Sequence, residues 1–150
     1  MNNALRLGSG PHSTLTLHSE EATYAFAAAF ARRLQPGDVV ALSGPLGSGK
    51  TTLVRAIVQT LHGSDQTLSP TFTFWHRYDG DPPIDHIDLF RIDDPREVVE
   101  LGLEEAFHGH SLVLVEWWRN APNILPPRRY EIEMEGAGDN PRILSLREPY

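Results

Sequence analysis

The recurrence of apolar side chains along the chain predicts three helical segments. After Ser19, a favourable N-cap residue, apolar residues recur at every fourth position as far as Leu34. A second apolar-faced segment ends before Gly63, and a third begins where proline stands at the first helical position. The predicted helices cover residues 20–34, 51–61 and 95–101, and the short piece 103–107 continues the last one.

Two other patterns predict strands. Residues 38–43 and 111–115 are nearly unbroken apolar runs, which are typical of parallel strands buried on both faces. Shorter runs alternate or are rich in β-forming residues, and the last two are joined by a Gly- and Asn-containing turn at 136–140 that predicts a hairpin. These runs are 14–17, 71–78, 84–90, 129–135 and 142–147.

The order of these elements predicts the fold class. Buried strands that alternate with helices indicate an α/β fold, with a central, mostly parallel sheet flanked by helices. We expect antiparallel strands at the sheet edge and a C-terminal hairpin. The length of 150 residues fits a single domain, and we expect residues 1–13 to be flexible.

A glycine-rich loop joins the apolar run 38–43 to the second helix. Its sequence GPLGSGKT, Gly44 to Thr51, satisfies the pattern G-x-x-x-x-G-K-[ST] of a phosphate-binding loop. Glycines let consecutive N–H groups point at phosphate oxygens, and the helix start adds positive potential. Lys50 would supply a charge to the β- and γ-phosphates, and the Thr51 hydroxyl would bind Mg2+. The chain is therefore predicted to hold ATP with Mg2+ and to be a P-loop ATPase.

Such a loop also needs a carboxylate at the end of a neighbouring strand. Glu116 follows the apolar run LVLV, and Asp88 lies in HIDLFR, a few residues after Asp85. Glutamate is one methylene longer than the more usual aspartate. Glu116 could therefore contact the metal through water or orient the attacking water. Alternation does not decide whether Asp85 or Asp88 faces the nucleotide.

Charge and composition limit the partners. Thirteen basic and twenty acidic residues give a net charge of −7, which disfavours direct binding to nucleic acid. The absence of cysteine excludes disulfides and thiolate metal sites. No apolar stretch approaches the length of a membrane span, so we expect a cytoplasmic protein without membrane contact.

In their order along the chain, GPLGSGKTTLVRA, SPTFTFWHRY, HIDLFRIDDPREVVELGL, LVLVEW and ILP resemble the TsaE (YjeE) family, from about Ser19 to Arg147. The resemblance implies a P-loop ATPase that supports formation of N6-threonylcarbamoyladenosine in tRNA. It also implies docking on a TsaB–TsaD heterodimer that handles the tRNA, with ATP hydrolysis resetting that complex between turnovers.

The resemblance also implies site residues. Catalytic roles would belong to Lys50, Asp88 and Glu116, and Mg2+ ligands would come from Thr51, Glu116 and Asp88. Trp117 matches the family's tryptophan and would lie at the site rim or touch the partner. Residues expected at ATP are Ser19, Glu20, Thr23, Pro45, Leu46, Gly47, Ser48, Gly49, Lys50, Thr51, Thr52, Ser69, Thr71 and Arg142.

Two departures from the family pattern are Pro45, where many members carry an acidic residue, and the second indole of Trp118. A small-molecule or nucleoside kinase is the alternative function. It would need an arginine-bearing lid, and residues 103–110 are short and contain no arginine. A regulatory GTPase would need N-K-x-D and D-x-x-G motifs, which the chain lacks.

Overall fold

A computed structural model describes residues 12–63 and 74–149. The strands and helices follow in the order β1 His12–Leu17, α1 Glu20–Ala31, β2 Val39–Ser43, α2 Lys50–His62, β3 Trp75–Tyr78, β4 Ile84–Asp88, α3 Arg96–Glu100, β5 Leu112–Glu116, β6 Tyr130–Glu135 and β7 Arg142–Arg147. Short 3₁₀ turns cover Leu103–Ala106, Trp118–Asn120 and Pro122–Ile124.

All seven strands of the described chain form one sheet, in the order β1-β7-β6-β2-β5-β4-β3. The four central strands β6, β2, β5 and β4 run parallel, while β3 at one edge and the β7–β1 pair at the other add antiparallel strands. The predicted α/β fold with a mostly parallel sheet, antiparallel edges and a C-terminal hairpin is confirmed.

Local sequence explains where the main helices begin and end. The Ser19 hydroxyl accepts a hydrogen bond from the Ala22 N–H at 3.1 Å, which satisfies a backbone donor at the start of α1. Helix α2 ends at Gly63, whose left-handed backbone (φ 72°) closes the last turn through its N–H on the Gln59 carbonyl. After Gly102 the predicted continuation of α3 is a 3₁₀ turn rather than an α-helix.

The expected flexible segment 1–13 lies partly outside the described residues. Its last two residues, His12 and Ser13, belong to β1 and pair with Arg147 and Leu146 of β7. These two residues are therefore part of the sheet, and the flexibility expected of the segment stays a prediction.

Helices cover the central strands on both faces. Phe26 and Phe30 of α1 pack with Leu53 and Ile57 of α2 on one face, over fully buried strand residues such as Leu114. The other face is covered by α3 and the 3₁₀ turns. β2 and β5 are buried at every position, so their carboxyl ends lie between the two cores. Among residues 12–63 and 74–149, no helix is long and apolar enough to cross a membrane.

Candidate functional site

The glycine-rich loop leaves the carboxyl end of β2 and enters α2. Gly44 has φ +143°, and a Cβ at this position would lie 2.2 Å from the Met134 carbonyl oxygen of β6 and 2.8 Å from Ser48 Oγ. Ser48 itself is fully buried. The backbone of the loop is therefore packed directly on β6, and only glycine fits at this approach.

Lys50 is the first residue of α2 and points back into the loop. Its Nζ donates to the carbonyl oxygens of Gly44 at 2.5 Å and Pro45 at 3.0 Å, and lies 4.5 Å from the centre of the Trp117 ring. Burial lowers the pKa of the Lys50 amine, while the nearby Glu116 and Asp88 carboxylates oppose that shift. A cation is thus held between the loop, an indole face and two acids.

The two acids stand side by side at the carboxyl ends of neighbouring strands. Asp88 of β4 is in register with Glu116 of β5, so both side chains lie on the face that carries α2. The Thr51 hydroxyl donates to Glu116 Oε1 at 3.5 Å. Burial raises the pKa of Asp88, and the Glu116 carboxylate raises it further. The Phe90 N–H donates a hydrogen bond to Asp88 Oδ1 at 3.0 Å, which lowers that pKa.

A hydroxyl and two carboxylates are the oxygen donors that Mg2+ prefers, so the residues present fit this ion. Within the described ranges, no group of three or more His, Asp or Glu residues is arranged to hold a metal alone. A metal between Thr51, Asp88 and Glu116 would therefore share its coordination sphere with waters or phosphate oxygens, as is usual for Mg2+ at P-loops.

The structure distinguishes Asp88, in HIDLFR, from Asp85, which directly precedes this motif. Asp85 is fully buried on the opposite face of the sheet, where it accepts hydrogen bonds from Trp75 Nε1 at 2.9 Å and Ser111 Oγ at 2.5 Å. Arg77 forms an ion pair with it at 3.5 Å. Asp85 is thus part of a buried polar network, and Asp88 is the aspartate beside the loop.

His86 is a residue of this site for which the sequence predicted no role. Its Nε2 donates to Glu116 Oε2 at 2.7 Å, and both side chains are largely shielded from solvent. The two-residue spacing of His86 and Asp88, which puts both on one strand face, was the available signal. To use this signal one must also know which strand pairs with β4, and the sequence pattern does not provide that.

Trp117 and Phe90 form the apolar side of the same cleft. Their rings lie 5.0 Å apart, and Trp117 is the one non-glycine residue of the described chain with positive φ, at 57°. A bulky side chain in this conformation is uncommon and points to a local functional constraint. By contrast, Trp118 is buried in the second core, with the Arg129 guanidinium 4.7 Å from its ring centre.

Two clefts meet at the start of α2. One, of about 330 Å³, contains the loop, the two acids and Trp117; the other, of about 300 Å³, is lined by the start of α1 and by the β6–β7 turn. Gly49, Thr52 and Arg142 line both. A groove thus runs from the acids to the N-terminus of α1, which suits a ligand with a phosphate end and a base end.

Most of the predicted ATP-contacting residues are brought together by this groove. Ser19, Glu20, Thr23, Thr52 and Arg142 line its α1 side, and Leu46, Gly47, Ser48, Gly49, Lys50 and Thr51 line its loop side. Pro45 contributes its carbonyl to Lys50. Ser69 and Thr71 lie outside the described residues.

The chain is similar to known proteins in both sequence and fold. The sequence model of the family described as "Threonylcarbamoyl adenosine biosynthesis protein TsaE" matches residues 17–144. A Bacillus subtilis relative named "tRNA threonylcarbamoyladenosine biosynthesis protein TsaE" is 41% identical over 132 residues, which are 87% of this chain and 82% of the relative. A relative of the same name from Rickettsia conorii is 39% identical over 133 residues, 87% of this chain and 75% of that one. The crystal structure of YdiB from Bacillus subtilis superposes with a TM-score of 0.76 and 33% identity, over 93% of this chain and 86% of that chain.

Proposed function

This chain belongs to the TsaE family, and from that premise we propose that it is a Mg2+-dependent ATPase acting as an accessory subunit of tRNA threonylcarbamoyladenosine biosynthesis. Its place in that pathway follows from the family and from the names of its relatives. ATP hydrolysis and action on the TsaB–TsaD heterodimer are the parts that we propose.

The observation that carries the proposal is the convergence of four groups under the glycine-rich loop. Lys50, Thr51, Asp88 and Glu116 come from three separate elements and line one cleft with the loop backbone. The charge of Lys50 and the loop N–H groups are suited to the β- and γ-phosphates of ATP. Mg2+, when bound, would neutralise charge on the phosphate oxygens.

The two acids are suited to different tasks. Glu116 lies beside the Thr51 hydroxyl, the group that P-loop proteins use as a metal ligand, and so we assign it to the Mg2+ side. Asp88 is opposite Glu116 on the neighbouring strand and lines the same cleft, and burial raises its pKa. We therefore assign Asp88 to orienting the attacking water, a role that gains from basicity, with any contact to Mg2+ made through water.

The site is suited to completion by a partner. The cations lining the loop cleft, within the described ranges, are Lys50 and Arg142, and the Arg142 guanidinium donates to Asn140 and Gly138 carbonyls of its own hairpin. Two apolar side chains at the mouth of the cleft, Leu46 and Phe90, are 69% and 47% exposed. We place the TsaB–TsaD contact at this mouth. The net charge of −7 fits tRNA contact through the partners alone.

A pull-down of the TsaB–TsaD pair tests the function. The tagged chain is incubated with the pair in ATP and Mg2+, in ADP and Mg2+, and without nucleotide. We expect nucleotide-dependent capture by the wild type, and loss of that dependence in Lys50→Ala and Glu116→Gln, because these variants hold ATP with its metal much less tightly. Failure of the wild type to capture the pair under every condition would overturn the proposed function.

A further inference from the structure

The Glu116 carboxylate is held at both of its oxygens. Oε1 accepts from the Thr51 hydroxyl at 3.5 Å, and Oε2 accepts from His86 Nε2 at 2.7 Å. The His86 bond is much the shorter of the two. With side-chain exposures of 5% for Glu116 and 14% for His86, water cannot readily replace it.

The sheet register brings His86 to this position. In the parallel pair β4–β5, Asp88 is opposite Glu116 and His86 is opposite Leu114. His86 therefore lies on the same face as both acids and diagonal to Glu116, a separation that a long side chain can span. The contact is set by backbone pairing and does not depend on a flexible loop.

A glutamate at a strand end needs such a restraint. It has one more rotatable bond than aspartate, and its carboxylate can sweep a larger volume around the metal position. A hydrogen bond that fixes one oxygen leaves the other pointing in a defined direction, here toward Thr51. Metal-binding carboxylates commonly have such outer partners, and loss of the partner weakens metal binding.

We propose that His86 is a positioning residue for the Mg2+ site: by holding Oε2 of Glu116, it directs Oε1 toward Thr51 and the metal. The inference rests on the proposed Mg2+–ATP site. His86 is not among the residues that line the loop cleft, and its effect on Mg2+ would pass through its bond to Glu116.

The experiment measures ATP binding by calorimetry across a series of Mg2+ concentrations and in EDTA. His86→Leu removes the donor, whereas His86→Gln keeps an N–H2 group at the position of Nε2. His62→Leu is the matched control, since His62 Nε2 also makes a 2.7 Å bond, to the Pro82 carbonyl, at the far end of α2. Thermal unfolding without nucleotide checks that each variant folds.

For His86→Leu we expect the Mg2+ concentration that gives half of the Mg2+-dependent gain in ATP affinity to rise about tenfold. This is the lower end of the loss in metal affinity that follows removal of a hydrogen-bond partner of a metal ligand. ATP binding in EDTA should be unchanged. His86→Gln should recover most of the Mg2+ affinity, and His62→Leu should match the wild type. Adding His86→Leu to Glu116→Gln should cause no further change, because Glu116 transmits the effect.

A wild-type Mg2+ response in His86→Leu would overturn the inference and leave the proposed ATPase standing. The inference would also be overturned if His86→Leu weakened ATP binding equally in EDTA and in Mg2+. It would be overturned as well if His86→Leu had its full effect on the Mg2+ response in the Glu116→Gln background. Wild-type protein whose ATP binding is independent of Mg2+ would instead overturn the proposed Mg2+ site itself.

Discussion

Replacing Gly44 by alanine should damage the nucleotide site far more than the size of a methyl group suggests. The new Cβ would lie 2.2 Å from the Met134 carbonyl oxygen, whereas non-bonded atoms of this kind settle at about 3.5 Å. The loop or β6 must therefore move by about 1 Å. Backbone strain at φ +143° costs about 1–3 kcal/mol and overpacking about the same again.

Gly47→Ala is the matched control, because Gly47 also has a positive φ, 78°, but an added Cβ there meets nothing within 4 Å. It should cost about 1 kcal/mol of backbone strain. In thermal unfolding we expect Tm to fall by about 3 °C for Gly47→Ala and by about 10 °C for Gly44→Ala, from the usual relation of stability to Tm at this chain length.

ATP titration of the same two variants completes the test. A loop displaced by about 1 Å should weaken ATP binding about a hundredfold in Gly44→Ala, because the N–H groups lose their alignment. The ATP affinity of Gly47→Ala should stay much closer to that of the wild type. Equal effects of the two substitutions on Tm, or wild-type ATP affinity in Gly44→Ala, would refute the reasoning that close packing on β6 shapes the loop.

Three further predictions separate residues that look alike in the sequence. Trp117→Ala should weaken ATP binding by up to about tenfold through loss of its contact with the loop lysine. Trp118→Ala should instead lower the free energy of unfolding by about 3–5 kcal/mol, since this indole is 7% exposed; chemical denaturation and calorimetry of both variants check the contrast. Asp88→Asn should reduce ATP hydrolysis about a hundredfold or more with little change in Tm, whereas Asp85→Asn should destabilise the fold, because it weakens a buried network. A reversed pattern would show that the sheet register is misassigned. Arg142→Ala, in an exposed hairpin, should change stability by less than about 0.5 kcal/mol but weaken ATP binding; unchanged affinity in a titration would remove this residue from the site.

Local pattern was enough to predict that these helices and strands exist and that a loop joins β2 to α2, although α1 ends at Ala31 rather than Leu34 and residues 103–106 form a 3₁₀ turn. The Ser19 cap, the glycine stop at residue 63 and the unbroken apolar runs all act through neighbours in sequence. Strand order could not be obtained this way. In the β6–β7 hairpin, β6 pairs in parallel with β2, and β7 pairs with β1 at the edge of the sheet. These pairings depend on the burial of residues far apart in the chain.

The candidate site divides in the same way. The loop, Lys50 and Thr51 form a contiguous motif, so the sequence was sufficient to find them. The selection of Asp88 over Asp85, and the bond from His86 to Glu116, follow from the pairing of β4 with β5. A one-residue shift in the register of that pairing would turn Asp85 toward the loop and turn Asp88 and His86 away from it. Side-chain alternation in the sequence cannot exclude such a shift.

The most direct test of a partner-dependent ATPase is steady-state ATP hydrolysis in the presence of Mg2+. It is measured for this chain alone, for the TsaB–TsaD pair alone, for the mixture, and for the mixture with Lys50→Ala. We predict slow turnover by each component, stimulation of about a hundredfold in the mixture, the effect of one added transition-state donor, and no stimulation with Lys50→Ala. Hydrolysis by the chain alone as fast as in the mixture would contradict the account.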